Sequence, residues 1–163
     1  MKYILFSSCC LMLFITGCKK EAQAPLPLNT IVADIDGKTE TFNRNLTRYI
    51  TDTVGNHVIG FSAYTNDSDY VLLSFGGSST VSRTTYKLFD GTNANSAYVF
   101  FERFHNVDPY RGYEAYSGIS YGDKPVIITI TNINGFNVEG TFTGDFMGER
   151  KLSIRNGRFN IAL

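Results

Sequence analysis

Residues 136–146 constrain the fold more tightly than any other stretch of this chain. Phe136, Val138, Gly140, Phe142, Gly144 and Phe146 fall on one side of a period-two alternation, with Asn137, Glu139, Thr141, Thr143 and Asp145 on the other. Successive side chains of a strand point to opposite faces, so the pattern predicts one long, half-buried β-strand. Glycines on its apolar side, Gly140 and Gly144, predict bends or a close neighbour, as a curled sheet needs.

The rest of the chain is written in the same style. From Asn29 onward Thr, Val, Ile, Phe and Tyr dominate, Gly and Asn punctuate, and no window holds an apolar stripe over three helical turns. Strands are expected at 30–35, 38–42, 57–64, 70–75, 84–89, 97–104, 112–117, 126–133, 136–146, 151–155 and 158–163, with 44–52 open between strand and helical turn. Three pairs suit the two positive-φ positions of a tight hairpin turn: Asp36-Gly37, Asn134-Gly135 and Asn156-Gly157. The expected fold is all-β, about ten antiparallel strands in a curled, barrel-like meander, with a two-sheet β-sandwich as the alternative. Its expected core includes Phe136, Val138, Phe142, Phe146, Ile154, Phe159 and Ile161.

The first residues carry an address. Lys2 precedes an apolar run from Ile4 to Ile15, too short for a spanning helix of about 20 apolar residues. Ile15-Thr16-Gly17-Cys18 then reads as a lipobox, in which the thiol of Cys18 is acylated (palmitate is the typical chain) after cleavage beside small residues. The expected division is a lipoprotein signal peptide at 1–17, a lipidated tether at 18–28 containing Pro25 and Pro27, and one all-β domain at 29–163. Two or three acyl chains make attachment to a membrane stable, where one anchors marginally.

Composition excludes several function classes. Cys9 and Cys10 leave with the signal, so a mature chain starting at Cys18 has no second thiol for a disulfide, a thiolate metal site or a cysteine nucleophile. Lys2 is one of 15 basic residues; without it 14 stand against 15 acidic ones, with no basic block to meet nucleic acid. Gly60-Phe61-Ser62-Ala63-Tyr64 lacks the last glycine of a nucleophile elbow. Gly76-Gly77-Ser78-Ser79-Thr80 lacks the lysine of a phosphate loop and reads as a hairpin loop. Glu102 and His105 have a helical ligand spacing inside a strand pattern, and Asn66-Asp67-Ser68-Asp69 is what a tight turn wants. We expect no metal and no cofactor.

One stretch suggests contact with a ligand. Tyr98, Phe100, Phe101, Phe104, Tyr110, Tyr113, Tyr116 and Tyr121 crowd residues 98–121, with Glu102, Arg103, Arg111 and Glu114 between them. Rings beside hydrogen-bonding groups suit a glycan, a peptide or a small apolar ligand, although strands also use Tyr and Phe for packing alone. The expected ligand-binding residues are Tyr110, Arg111, Tyr113 and Tyr116. The competing expectation is an envelope-associated hydrolase acting on glycans, with a carboxylate pair drawn from Asp34, Glu102, Asp108, Glu114 and Asp123.

The lipobox at Cys18, the opening Ile31-Val32-Ala33-Asp34-Ile35-Asp36-Gly37, and the closing segments Val138-Glu139-Gly140-Thr141-Phe142-Thr143-Gly144 and Ile154-Arg155-Asn156-Gly157-Arg158-Phe159-Asn160-Ile161 together resemble a family of small lipoproteins from Bacteroidetes-type bacteria. The likeness covers both ends of the chain and leaves the middle unmatched. It implies an exported, β-rich, lipid-anchored domain, in the outer membrane rather than the inner, and supplies no catalytic residues. The expectation is therefore a membrane-anchored, non-enzymatic binding or structural module of the cell envelope.

Overall fold

The computed structural model describes residues 24–88, 95–107, 110–117, 125–147 and 151–163, with backbone alone for 88, 105–107, 110–117 and 147. These residues form eleven strands and no helix: β1 (Thr30–Ile35), β2 (Lys38–Phe42), β3 (Arg44–Thr53), β4 (Asn56–Tyr64), β5 (Tyr70–Gly77), β6 (Thr85–Leu88), β7 (Ser96–Val107), β8 (Tyr110–Ser117), β9 (Ile127–Ile133), β10 (Asn137–Met147) and β11 (Lys151–Ala162). They make a single sheet in the order β2-β1-β11-β10-β9-β6-β7-β5-β4-β3, with β8 pairing both β7 and the end of β10. The sheet rolls into a nearly closed barrel whose seam lies between β2 and β3. Asn43 N–H to the Tyr64 carbonyl (3.2 Å) and Arg48 Nη1 to the Ala162 carbonyl (2.9 Å) tie the two sides together. All ladders are antiparallel except β6 with β7.

The alternating apolar residues fill the barrel. Ile31, Ala33 and Ile35 of β1, Phe61 and Ala63 of β4, Val71, Leu73 and Phe75 of β5, and Val99 and Phe101 of β7 are all essentially inaccessible. At the centre Phe159 meets Phe61 (ring centroids 4.9 Å), Phe75 (6.1 Å) and Phe142 (6.5 Å). Tyr86 closes the cluster 5.5 Å from Phe75, and its buried hydroxyl is satisfied by the Ser82 backbone. The glycines expected to admit a neighbour do so: a Cβ on Gly140 would lie 2.5 Å from both the Phe159 ring and the Thr129 carbonyl oxygen.

Asp36-Gly37 forms the expected turn, with φ of +50° and +85°. The other two pairs behave differently. Asn156-Gly157 is no hairpin: β11 runs straight through it as one strand, and the pair is a β-bulge. Gly144 pairs with Ile154 and Phe142 with Gly157, so β11 carries one extra residue; the same slip occurs against β1. Asn156 still takes positive φ (+51°), which a bulge can use as readily as a turn. The extra residue switches parity, so Leu152 and Ile154 before it and Phe159 and Ile161 after it all face the core. Asn134-Gly135 does join two paired strands, but through a three-residue loop, 134–136: Ile133 pairs with Val138, and the Asn134 side-chain oxygen accepts the N–H groups of Phe136 (2.8 Å) and Asn137 (3.0 Å). Phe136 thereby belongs to the turn and is 86 % exposed, which removes it from the core; the other six expected core residues are buried.

Two further segments differ from expectation. Residues 44–52 are strand, in an edge strand exposed on both faces and thus lacking alternation. Gly76 and Gly77 belong to β5, and the chain beyond them crosses β7 to reach β6 rather than turning back as a hairpin.

Candidate functional site

Among the described residues, two places on this barrel gather polar or aromatic groups that core packing does not use. The first is the outer face of β3, β4, β5 and β7. The register sets Tyr49, Gly60, Ser74 and Tyr98 in one row across the four strands, and Tyr64, Tyr70 and Glu102 in another across β4, β5 and β7. Between them lies the row of Ser62, Leu72 and Phe100. The rings form a continuous series: Tyr64 to Tyr70 at 4.9 Å, Tyr70 to Phe100 at 6.3 Å, and Phe100 to Tyr98 at 6.5 Å with planes only 8° apart.

Gly60 is what lets Tyr49 join this face. A Cβ there would lie 2.0 Å from the Tyr49 ring, so the ring rests on bare backbone. Tyr98 is 41 % and Tyr49 45 % exposed, in contrast to the half-buried Tyr64, Tyr70 and Phe100, which act as ordinary cross-strand pairs. Desolvation, with Tyr49 and Tyr70 nearby, pushes the Tyr98 phenol above its usual value, so it stays a neutral donor and acceptor. Beside Tyr98 a depression of about 160 Å³ opens over Ser74, Gly76 and Ser96, walled by Val58. Gly76 holds φ +155°, and a Cβ there would strike the His57 carbonyl oxygen at 2.0 Å. The face thus presents rings, hydroxyls and a shallow trough, with Glu102 as the charge on its border.

The second place is one end of the barrel, where the inward-facing side chains turn from apolar to charged. On β2, Lys38 and Glu40 share the parity of the buried Phe42, and Glu40 pairs with the core residue Ala33. On β7, Arg103 follows buried Phe101 and lies over its ring at 5.5 Å. The turn between β4 and β5 adds Asp67 and Asp69, fixed because Thr65 Oγ1 accepts the N–H groups of both. A cavity of about 380 Å³ lies among these groups. Lys38 Nζ meets Glu40 at 2.7 Å; Asp69 Oδ1 accepts the Phe104 N–H at 2.9 Å, and Arg103 Nε stands 3.7 Å from Asp69 Oδ2. Burial raises the Asp69 carboxyl above its ordinary range, opposed by the Phe104 N–H and Arg103.

The expected binding residues Tyr110, Arg111, Tyr113 and Tyr116 lie on β8, their backbones opposite Val107, Asn106, Phe104 and Phe101. Their side chains fall outside the described residues, as do Cys18 and Tyr121. Of the crowded stretch 98–121, Tyr98 and Phe100 reach the outer face while Phe101 is core. Sequence reading missed Tyr49, Tyr64 and Tyr70, whose neighbours across the sheet are set by pairing. Of the five candidate acids, Asp34 is tied on both oxygens, by Thr39 (2.6 Å) and Asn156 (2.7 Å), which hold its carboxyl below the usual range. Glu102 is on β7, which does not neighbour β1. Asp108, Asp123 and the Glu114 side chain lie outside the described residues.

The helical spacing of Glu102 and His105 is absent, since β7 runs through both, and His57 pairs with Asp52 across the β3–β4 hairpin. Among the described residues no three His, Cys, Asp or Glu side chains converge to hold a metal. Comparison of the chain with family models, curated proteins and solved structures finds no match.

Proposed function

We propose that this chain is a lipid-anchored module of the bacterial cell envelope, tethered through Cys18, that binds neutral glycans on its outer aromatic face without turning them over. The single observation that carries the ligand reading is the pair of exposed rings, Tyr49 and Tyr98, flanking Ser74 in one register row. Packing explains rings that bury each other; it does not call for two tyrosines kept in water above small residues. Sugar rings offer apolar C–H faces and many hydroxyls, matching phenol faces and the hydroxyls of Ser74 and Ser96. A charged peptide would find few partners on these rows.

The anchor reading rests on Ile15-Thr16-Gly17-Cys18 and is tested by itself. Cys18→Ala leaves an unprocessed or soluble chain on membrane fractionation; a variant processed and retained like the parent refutes it. For the ligand, titration calorimetry against neutral hexasaccharides (gluco-, manno- and xylo-configured) finds at least one that binds the full chain. Tyr98→Ala weakens it about tenfold or more, the scale of an aromatic anchor. The sugar is recovered intact. Failure of every sugar, or an unchanged affinity in Tyr98→Ala, refutes glycan binding at this face; shortened products in the parent but not in Glu102→Gln refute the non-enzymatic reading.

A further inference from the structure

We infer that the end of the barrel opposite the charged one is a membrane-docking surface, seated on the bilayer that holds the lipid of Cys18. The inference rests on the anchor reading above and adds the face by which the domain meets the membrane.

The two ends of the barrel differ in kind. At one, Lys38, Glu40, Asp69 and Arg103 gather beyond the core. At the other stand Leu28, Ile50, Val54 and Phe136, which among the described residues are all of the large exposed apolar side chains other than tyrosine. Contacts within the fold place them together. The side-chain oxygen of Asn29, next to Leu28, accepts the Ala162 N–H (3.0 Å), and the Leu163 N–H donates to the Phe136 carbonyl (2.9 Å). From β3, Arg48 reaches the Ala162 carbonyl, and Ile50 shares a cavity of about 130 Å³ with Ile133, next to the loop that carries Phe136. Val54 lies in the turn that follows β3.

Single exposed apolar residues are ordinary on a protein surface; a set confined to one end is not. Val54 and Phe136 stand almost wholly in water on two separate loops. The charged side chains beside them are already partnered, Arg48 by the Ala162 carbonyl and Asp52 by His57.

What covers this end follows from the chain that precedes β1. Asn160 donates to the Leu26 carbonyl (2.9 Å) and Arg158 to the Ala24 carbonyl (3.2 Å), so this segment lies along β11. Ala24 is six residues after Cys18, a reach of about 20 Å at most. From Arg158 to Ala162 is four residues of strand, about 14 Å. A lipid on Cys18 can therefore lie level with Leu28 and Phe136. The anchor holds the domain against its bilayer at high effective concentration, and of the two ends only the apolar one suits the boundary between headgroups and acyl chains. So seated, the charged end points to water, and the outer face of β3, β4, β5 and β7 stands open at the side.

The chain has no tryptophan, so a single indole reports its own surroundings. The lipidated protein is reconstituted on vesicles of phosphatidylethanolamine and phosphatidylglycerol, with or without phosphatidylcholine brominated along its acyl chains. Flotation with the vesicles reads the anchor by itself. In Phe136→Trp and in Val54→Trp the indole emission shifts to the blue, and the bromines remove about half of it or more, as for side chains seated about 5–10 Å into the boundary. Asp67→Trp, exposed at the charged end, stays unquenched. A floating protein whose Phe136→Trp and Val54→Trp indoles are unquenched, or in which Asp67→Trp is quenched as strongly, overturns the docking surface and leaves the anchor standing. A blue shift that grows with protein density and ignores the bromines overturns it in favour of a second copy on this face. Failure to float overturns anchor and docking together.

Discussion

Replacing Phe159 by alanine removes the side chain on which the barrel interior converges. The residue is 2 % exposed, and its ring meets Phe61, Phe75 and Phe142. Truncating a buried phenylalanine costs about 3–5 kcal/mol, and each aromatic pair adds about 0.5–1.5 kcal/mol beyond area burial. The site cannot collapse well, because Gly140 beneath the ring has no side chain to follow it inward and its backbone is paired with Ile130 of β9 on one side and Phe159 of β11 on the other. The loss therefore falls at the upper end, about 5 kcal/mol, a large share of the roughly 5–15 kcal/mol that holds a domain together. In urea denaturation followed by far-ultraviolet circular dichroism, this lowers the midpoint by about 2–3 M at an m-value typical of this size. Phe159→Leu keeps most of the volume and loses about 1–2 kcal/mol, giving a measurable variant if the alanine form does not fold. Phe136→Ala, at a ring 86 % exposed, changes stability by less than about 0.5 kcal/mol. A loss below 2 kcal/mol for Phe159→Ala, or an equal loss at Phe136, would refute this view of the core.

Other substitutions test separate parts of the structure. Asp145→Ala strands Arg155, which pairs with it and also donates to the Gly144 carbonyl at 2.9 Å. Because Arg155 keeps about a third of its side chain in water, the cost is about 2–3 kcal/mol by urea titration, short of that for a wholly buried pair. Gly157→Ala drives a Cβ to 2.5 Å from the Phe142 carbonyl oxygen and costs about 3 kcal/mol, whereas Gly60→Ala meets only the movable Tyr49 ring and stays within about 1 kcal/mol of the parent. Burial alone would raise the Asp145 carboxyl, but Arg155 and Lys151 outweigh it and hold it below the ordinary value near 3.8; Asp34 is lowered by Thr39 and Asn156. Groups lowered in the fold give stability that is full above the ordinary carboxylate value and lost as pH falls through their own. Asp69, raised in the fold, works in the opposite direction. Between pH 5 and 3 the urea midpoint should therefore fall less in Asp145→Asn than in the parent, and equal falls would contradict the assignment.

Much of this fold was legible because one face of most strands is buried. Val138, Phe142 and Phe146 announce β10, and Asp36-Gly37 announces its turn. What could not be read depends on partners distant in the chain. Positive φ at Asn156 serves a turn and a bulge alike, and only the two neighbours of β11 show that the chain runs on. Phe136 continues the alternation in sequence, but the Asn134 side chain claims its N–H for the loop. β3 gives no periodic signal because neither of its faces is consistently covered. The outer face is assembled from residues far apart in sequence, and Tyr49 gives no sign that Gly60 will lie beneath its ring. At the barrel end the alternation Lys38, Glu40, Phe42 was visible, yet charge at an inward position reads locally as a solvent face. It is the pairing of Glu40 with Ala33 that turns it inward.

The most direct test of the outer face as the binding surface is residue-by-residue mapping of shift changes by nuclear magnetic resonance. A neutral oligosaccharide that binds is titrated into the labelled chain. Binding as proposed moves Tyr49, Ser74, Gly76 and Tyr98 together, in fast exchange with one saturation curve, and leaves Phe61, Phe142 and Phe159 in place. Shifts centred on β1 and β11, or spread through the core while those four stay still, would contradict it.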